Sequence, residues 1–380
     1  MTSTKDNALL WFGAAISLAE ILSGTLFAPL GIGPGLLAII LGHVIGGLLM
    51  FGCGRIGAQV GQPAMATTAS AFGQLGAKWF AGLNSLQLLG WTAVMILAGA
   101  QAAQVFVPVS LGFWAVIIGV IIAGWLLIGL VDLGKWNTVA AGALLIAVLF
   151  LSVKYFASSH AVVATNGHLA FGAALELAIA MPLSWLPLIS DYTSQAAKPL
   201  QANTVSVWVY GLTSTWMFAI GLVGTALTDK TDIAGLMQGF GLGFVALIVI
   251  ILSTITTTFL DVYSAGVSAA LFIRLPAKWL ALIVTGLGTA IAVFVPQATY
   301  ADFLYWISAV FVPLAVIQIT CAWLNIQTKA RWDWPNWLLW GLGVAIYRLM
   351  LNHVTVLGST IPTVIMVAGL SLIFNWRRRS

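Results

Sequence analysis

A group of hydroxyl side chains followed by an aspartate interrupts the apolar stretch of residues 240–272. Ser253, Thr256 and Thr257 are spaced at i, i+3 and i+4, so a helix places them on one face. Because small hard cations bind through oxygen atoms, a backbone carbonyl and two hydroxyls on this face form a candidate sodium site. Asp261 lies four residues beyond Thr257. We expect it to face the same cavity and to accept hydrogen bonds from a substrate.

The depth of Asp261 in an apolar stretch makes it a candidate binding residue. A lone carboxylate at the centre of a bilayer costs about 3 kcal/mol or more, so it normally faces a cavity, a partner or a ligand. The alternative is structural: the nearby hydroxyls bond back to helix carbonyls, and Asp261 pairs with a neighbouring helix. No lysine or arginine lies deep enough in an apolar stretch to neutralise Asp261, which favours the binding role.

A second acidic residue lies in the first apolar stretch. Glu20 follows Ser17, and Gly13, Gly24 and Pro29 interrupt the helical pattern around them. Two interpretations stay open for this glutamate. It is either a substrate ligand or proton carrier, or a protonated side chain bonded to a carbonyl that a helix break frees.

The composition defines the environment of these residues. The chain of 380 residues is 61% hydrophobic and 7% charged, and its mean hydropathy is +1.05. No soluble fold hides that much apolar surface, and about twenty apolar residues cross a bilayer as a helix. We therefore predict an all-α polytopic membrane protein with twelve transmembrane helices. The twelve spans, numbered in chain order, are 8–30, 33–54, 79–107, 111–131, 136–153, 170–190, 203–228, 238–272, 279–295, 302–325, 334–351 and 354–375.

The lysines and arginines predict the orientation of these spans. With both termini in the cytoplasm, only Lys154, Lys230 and Arg348 of the 15 lysines and arginines fall on the outer side. Loops rich in these residues stay in the cytoplasm. We therefore predict a multi-pass protein of the cell (inner) membrane with both termini cytoplasmic. Glu176, near the outer end of span 6, is expected at the membrane interface.

Breaks in two spans predict the architecture. Span 6 contains Pro182 and Pro187, and each proline removes a backbone donor. In lipid such breaks persist only where the freed groups line a cavity or meet a ligand. Broken spans 1 and 6, five apart in order, indicate a 5+5 inverted repeat with a substrate site at the midplane. The chain is then one transmembrane transporter domain, 1–380, with a first repeat at 1–153, a second repeat at 170–325 and two accessory helices at 334–375.

Two tryptophans lie in the middle of spans. Trp91 follows Gly90 in span 3, and Trp185 lies between the prolines of span 6. Two indoles facing one cavity would sandwich a flat heteroaromatic ring; core packing is the alternative. Most other tryptophans, Trp11 among them, lie at span ends and are predicted to form interfacial belts. The four histidines, including His43, show no spacing typical of a metal site or a catalytic base.

Three stretches resemble nucleobase–cation symport family 1. Residues 256–266, Thr-Thr-Thr-Phe-Leu-Asp-Val-Tyr-Ser-Ala-Gly, are similar to the eighth helix of that family. Residues 89–95, Leu-Gly-Trp-Thr-Ala-Val-Met, resemble its Gly-Trp-Phe-Gly-x-Gln signature, and residues 61–76 resemble the loop after its second span. The resemblance implies the LeuT-type fold, cation-coupled alternating access and a planar base held between aromatic residues of spans 3 and 6.

The resemblance also assigns individual positions. It implies that Trp91 and Trp185 stack on the substrate ring. It implies a sodium site formed in span 8 by Ser253, Thr256 and Thr257 and in span 1 by the backbone carbonyls of Ile16 and Ala19.

Three departures from the family pattern bear on the substrate. Glu20 stands where several members have Gln, Met95 stands where a span-3 Gln is usual, and Asp261 stands in an Asn-rich segment. An ionised carboxylate only accepts hydrogen bonds, whereas an amide also donates. Two carboxylates therefore suit a ring with an exocyclic amine. The best fit is the CytX-type transporters of 4-amino-5-hydroxymethyl-2-methylpyrimidine, a thiamine precursor, with Met95 as an apolar wall for the 2-methyl group; cytosine is the alternative.

The sequence thus predicts a symporter that imports an aminopyrimidine, coupled to sodium or protons and with no other cofactor. Its partners are the small pyrimidine and the lipid bilayer, and no nucleic acid. Glu20, Trp91, Met95, Trp185 and Asp261 are the predicted substrate-binding residues. A membrane enzyme is disfavoured by the scattered histidines, and a channel would need a repeated filter element. A non-transporting membrane sensor stays open.

Overall fold

The chain is helical throughout the part that the structure describes. The computed structural model describes residues 2–128, 167–228, 243–294, 300–353 and 355–376, residue 378, and scattered positions within 142–153 and 230–236; for 243–250 it describes the backbone alone. In these ranges the regular elements are helices. In addition, one isolated β-bridge pairs Thr2 with Ala196. The prediction of an all-α protein is confirmed. Predicted span 5, 136–153, lies mostly outside the described residues.

The helices follow the predicted spans closely. Seven of those described are long and apolar enough to cross a membrane, and the two halves of span 1 form an eighth if counted together. The multi-pass prediction is therefore confirmed. The bounds are Thr4–Ala15 and Leu18–Thr25 (span 1), Ile32–Val60 (2), Gln74–Phe106 (3), Leu111–Ile128 (4), Phe171–Trp185 and Ile189–Thr193 (6), Pro199–Thr228 (7), Gly243–Ala269 (8), Ala277–Phe294 (9), Tyr300–Trp323 (10), Trp334–Asn352 (11) and Thr360–Trp376 (12).

Span 1 breaks at two residues, neither of which is glycine or proline. Ile16 has φ −84° and ψ 81°, and Ser17 is extended at φ −136° and ψ 159°. The Ser17 hydroxyl accepts a hydrogen bond from the backbone N–H of Glu20 at 3.4 Å and so caps the second half of the span. The two halves meet at a bend of 47°. The predicted break of span 1 is present, and a serine cap forms it.

Span 6 breaks once rather than at both of its prolines. Pro182 lies inside the helix Phe171–Trp185, and Leu186 still donates to the Pro182 carbonyl at 3.2 Å. The helix ends just before Pro187 and resumes at Ile189. A proline inside a helix removes only one hydrogen bond, and neighbouring helices in a membrane protein supply substitutes. The prediction of a broken span is therefore correct, and its break lies at Pro187.

The packing of the spans has the symmetry of an inverted repeat. Span 1 packs against span 7, and the symmetric pair, spans 6 and 2, also pack together. Span 3 likewise packs against span 9, and its symmetric pair, spans 8 and 4, are in contact. Spans 3 and 8 pack against each other. Exchanging each span with the one five places away reproduces this set of contacts. The contacts of the described spans thus have the symmetry of a 5+5 arrangement, while the residue limits of the two repeats stay a prediction.

Small residues allow the two symmetric pairs to approach closely. A side chain at Gly24 would overlap the backbone carbonyl of Phe218, where span 1 meets span 7. A side chain at Gly42 would overlap Ala178, where span 2 meets span 6. Glycines at such points let helix backbones touch inside a membrane. These contacts hold both broken spans against unbroken neighbours.

Glu176, near the start of span 6, is buried against other spans. Its side chain is 1% exposed, and its expected depth at the membrane interface stays a prediction. It accepts hydrogen bonds from Tyr347 of span 11 and from Ser359 and Thr360 at the start of span 12. Glu176 therefore attaches the accessory helices to the first half of span 6.

Candidate functional site

The breaks of spans 1 and 6 face a single cavity between spans 1, 3, 6 and 8. All five residues predicted to bind substrate line it, together with two residues of the candidate sodium site. The lining residues are Ser17, Ala19, Glu20, Trp91, Met95, Met181, Ser184, Trp185, Thr257 and Asp261.

Asp261 is buried in this cavity without a hydrogen-bonding partner. Its side chain is 3% exposed, and no described residue donates a hydrogen bond to its carboxylate. The neighbouring Thr257 hydroxyl is also buried and unpartnered among the described residues. The alternative in which these side chains have only structural roles holds for Thr258, whose hydroxyl donates to the Thr254 carbonyl of its own helix at 2.6 Å. It does not hold for Asp261, which pairs with no described residue. Because buried polar groups normally have partners, the Asp261 carboxylate and the Thr257 hydroxyl are positioned to meet a bound molecule.

Glu20, in contrast, is held by two hydroxyl groups of span 7. Tyr210 donates to Oε1 at 2.8 Å, and Oγ of Ser214 lies 2.6 Å from Oε2. Ser214 also lies 2.6 Å from Nε2 of His43 in span 2, and Nδ1 of His43 lies 2.8 Å from the Ile39 carbonyl. The network joins span 1 to spans 2 and 7 and keeps the carboxyl group in one orientation.

The hydrogen atoms of this network can be counted. Nδ1 of His43 faces a carbonyl and must carry hydrogen, so Nε2 of a neutral imidazole accepts the hydroxyl hydrogen of Ser214. The Ser214–Glu20 contact then needs a hydrogen from Glu20, which is the acid form. If Glu20 is ionised instead, His43 must carry two hydrogens. In either form Oε1 of Glu20 remains an acceptor.

The sequence signals for this network were weak. Tyr210 and Ser214 are one turn apart in span 7, and such a pair is common where hydroxyls bond back to their own helix. His43 is a titratable side chain in the middle of span 2, a position that indicates function by itself. The spacing of the histidines does not reveal this role, because the side-chain partner of His43 is a single serine on another span.

Aromatic side chains form two walls of the cavity. The ring of Trp91 lies edge-on to Tyr300 and Phe303, with centroids 6.0 and 5.5 Å away, and its buried Nε1 has no acceptor among the described residues. Trp185 contacts Trp11 at 5.5 Å. Trp11 is 1% exposed, so its prediction as an interfacial residue is wrong. It packs behind Trp185 because the first half of span 1 lies inside the bundle.

The candidate sodium site is partly assembled at the break of span 1. Oγ of Ser253 donates to the Ile16 carbonyl at 2.7 Å, and Ala19 and Thr257 line the adjoining cavity. Thr256 differs, since its hydroxyl donates to two carbonyls of its own helix at 3.0 Å each. In the described part of the chain, no cluster of three or more histidine, cysteine or acidic residues has the geometry of a metal site. The oxygen atoms of Ile16 and Ser253 form the core of the candidate site.

Comparisons with known proteins show which family the whole chain belongs to. The family model described as "Permease for cytosine/purines, uracil, thiamine, allantoin" matches residues 1–333. The Bacillus subtilis (strain 168) protein YxlA, whose name proposes a purine-cytosine permease, is 25% identical over 361 residues, covering 87% of this chain and 78% of YxlA. The cytosine permease of Escherichia coli (strain K12) is 25% identical over 296 residues, covering 75% of this chain and 68% of that protein.

Solved structures show the same fold at low identity. Mhp1, a nucleobase–cation-symport-1 family transporter in a closed conformation with bromovinylhydantoin bound, matches with a TM-score of 0.82 at 17% identity, covering 99% of this chain and 92% of that chain. A Na⁺-coupled sialic acid symporter in a substrate-bound outward-open state matches with a TM-score of 0.69 at 11% identity, covering 98% and 89%.

The family model spans most of the chain, and the structural matches extend over nearly all of it. The protein is therefore a multi-pass membrane transporter with the LeuT-type fold, not an enzyme. By its sequence, this chain belongs to the family of permeases for cytosine and purines, uracil, thiamine and allantoin, and it shares the fold of the nucleobase–cation-symport-1 family transporter Mhp1.

Proposed function

We propose that this permease is a symporter that imports an aminopyrimidine across the inner membrane, with both termini in the cytoplasm. The substrate we propose is 4-amino-5-hydroxymethyl-2-methylpyrimidine, coupled to sodium or protons. The observation that carries the proposal is the pair of acidic residues, Glu20 and Asp261, in one cavity with two indoles.

The acceptors in the cavity determine which ring edge is bound. Asp261 has no donor among the described residues, and Oε1 of Glu20 accepts from a single hydroxyl. An exocyclic amine supplies two N–H groups from one nitrogen, with no carbonyl between them. Uracil and hydantoin present carbonyl oxygens on either side of a ring N–H, and such an oxygen would meet a carboxyl oxygen. The polar groups therefore favour an aminopyrimidine.

The apolar wall favours a methylated ring. Met95 is 1% exposed and lines the cavity in place of the glutamine that the family resemblance implies. A thioether offers neither a strong donor nor a strong acceptor to the substrate, and its flexible side chain adapts to an alkyl group. The 2-methyl group of hydroxymethylpyrimidine fits this surface. Cytosine is the second candidate, because a cytosine permease is among the relatives.

Transport follows from the two broken spans. A cation bound between Ile16 and Ser253 would join span 1 to span 8 and favour a state open to the outside. Substrate bound by Glu20 and Asp261 would then close the outer side. The two repeats, 1–153 and 170–325, would rock around the site, with the helices at 334–375 as accessory elements.

Thermal stabilisation of the purified protein tests the substrate. We expect hydroxymethylpyrimidine to raise the melting temperature more than cytosine, and uracil and hydantoin to leave it unchanged. A ligand that binds only the folded state adds about 2.7 kcal/mol at a hundredfold excess over its Kd. The larger shift with cytosine would overturn the thiamine-precursor assignment. No shift with any of the four compounds would overturn the proposed site.

Ser253→Ala tests the cation site. Loss of the hydroxyl removes one of the two oxygens that meet at the break of span 1. We expect the sodium concentration for half-maximal stabilisation by substrate to rise at least tenfold. Thr258→Ala is the matched control, since that hydroxyl bonds only within its own helix. An unchanged sodium requirement in Ser253→Ala, or no sodium effect in the wild type, would remove sodium from this site.

A further inference from the structure

The break of span 6 changes which backbone groups are paired. Leu188 donates to the carbonyl of Trp185 at 3.2 Å rather than to that of Ser184, which an intact helix would use. Pro187 has no N–H to offer. Two carbonyls at the break, those of Ser184 and Pro187, accept hydrogen bonds from another span instead.

Both donors are amide side chains of span 3. Nε2 of Gln87 donates to the Ser184 carbonyl at 2.8 Å, and Nδ2 of Asn84 donates to the Pro187 carbonyl at 3.2 Å. Neither amide appears among the residues that the sequence marked as functional. Their signal was two amides three residues apart in an apolar span, on one helix face.

The two amides also bond to each other and to span 8. Nε2 of Gln87 donates to Oδ1 of Asn84 at 2.9 Å, and Nδ2 of Asn84 donates to Oγ of Ser268 at 2.8 Å. Asn84 is 0% and Gln87 5% exposed. Buried amides that share several partners resist displacement, because moving one leaves others unpaired. The two amides thus connect spans 3, 6 and 8, and we call them the amide bridge. Oε1 of Gln87 is buried without a donor among the described residues.

The amide bridge lies beside both cavity indoles. Gln87 precedes Trp91 by one helical turn in span 3, and its acceptor Ser184 is the residue before Trp185 in span 6. Ser184, Trp91 and Trp185 all line the cavity. The amide bridge therefore connects span 3, which carries Trp91, to Ser184, the residue before Trp185.

We propose that Asn84 and Gln87 are positioning residues that set the separation of Trp91 and Trp185, and with it the width of the slot for a planar ring. The inference rests on the proposed function in one respect, that the ring lies between these indoles. The bridge does not touch the ring. It acts by fixing the break of span 6 against span 3.

Gln87→Met tests the positioning role. Methionine keeps the length of the side chain and removes both amide donors. The reporter is a cysteine at the cavity wall: Ser184→Cys in a protein whose own cysteines are replaced (Cys53→Ala, Cys321→Ala). We expect a water-soluble maleimide to label this thiol at least tenfold faster when Gln87→Met is added. With the native serine in place, we expect Gln87→Met to weaken binding of hydroxymethylpyrimidine and cytosine at least tenfold.

Gln104→Met is the matched control in the same helix. Gln104 donates to the Val109 carbonyl at the exposed far end of span 3, and the same substitution there should change neither labelling nor affinity. Should Gln87→Met fail to fold, Asn84→Ala removes the other half of the bridge and should shift both readouts in the same direction, about threefold.

The two readouts separate this inference from the proposed function. Unchanged labelling and unchanged affinity in Gln87→Met would overturn the positioning role. Faster labelling in a protein whose wild type binds neither pyrimidine would support the amide bridge and overturn the proposed substrate. Unchanged labelling with lower affinity would overturn the bridge as a spacer, since Gln87 would then act on the ligand itself.

Discussion

Asp261→Ala is expected to abolish substrate binding and transport while the protein stays folded. The carboxylate is buried in the cavity and accepts no hydrogen bond from a described residue, so in the alanine variant a bound amine loses its charged partner. Hydrogen bonds to charged groups contribute about 1.5–3 kcal/mol each, and the upper value alone corresponds to about a hundredfold loss of affinity. The substrate-free protein should melt at the wild-type temperature or above it, because an unpaired buried carboxyl destabilises the fold.

The measurement is substrate-dependent stabilisation together with uptake into liposomes. Asp261→Asn separates charge from shape, since an amide also donates; we expect it to lose affinity for an aminopyrimidine and to gain affinity for uracil. Asp302→Ala is the control, because Asp302 is an exposed acidic residue at the start of span 10. If Asp261→Ala keeps its affinity, Asp261 is not part of the site. If the substrate-free melting temperature falls by several degrees, its role is structural.

The placement of Asp261 and Glu20 shows what the sequence of a membrane protein reveals well. Acidic residues in long apolar stretches are rare and costly, so each one can be weighed separately. Because burying a carboxylate in lipid is costly, acidic residues in spans are expected to face a cavity. Glu20 and Asp261 line the same cavity in the structure. Mid-span position also identified Trp91 and Trp185, whereas Trp11 was misjudged, because a place near a span end does not reveal which side of the helix faces the protein.

The partners of these residues were much harder to predict. His43, Ser214 and Tyr210 act on Glu20 from two other spans, and Asn84 and Gln87 act on the break of span 6 from a third. Each interaction joins positions about a hundred residues or more apart, and no local pattern records such a pairing. Backbone breaks were similarly ambiguous. The two prolines of span 6 predicted a broken span without showing at which proline the helix ends, and the structure places the break at Pro187.

Glu176→Ala is expected to destabilise the whole protein strongly. Oε1 of Glu176 accepts from the backbone N–H groups of Ser359 and Thr360 at 2.7 and 2.6 Å. Oε2 accepts from the hydroxyls of Tyr347 and Thr360 at 2.8 and 2.9 Å. Alanine would leave four buried donors unpaired, and each such group costs about 1–3 kcal/mol. We expect the unfolding free energy to fall by at least about 3 kcal/mol.

Glu176→Gln distinguishes hydrogen bonding from charge in this attachment. Its amide oxygen can face the two backbone N–H groups, while its NH₂ group donates to hydroxyls that rotate to accept. We therefore expect a melting temperature within a few degrees of the wild type, a loss of many degrees for Glu176→Ala, and unchanged substrate affinity in Glu176→Gln. A large loss in both variants would mean that the negative charge at the start of span 12 carries the interaction. No loss in Glu176→Ala would mean that spans 11 and 12 are held to the bundle by apolar packing alone.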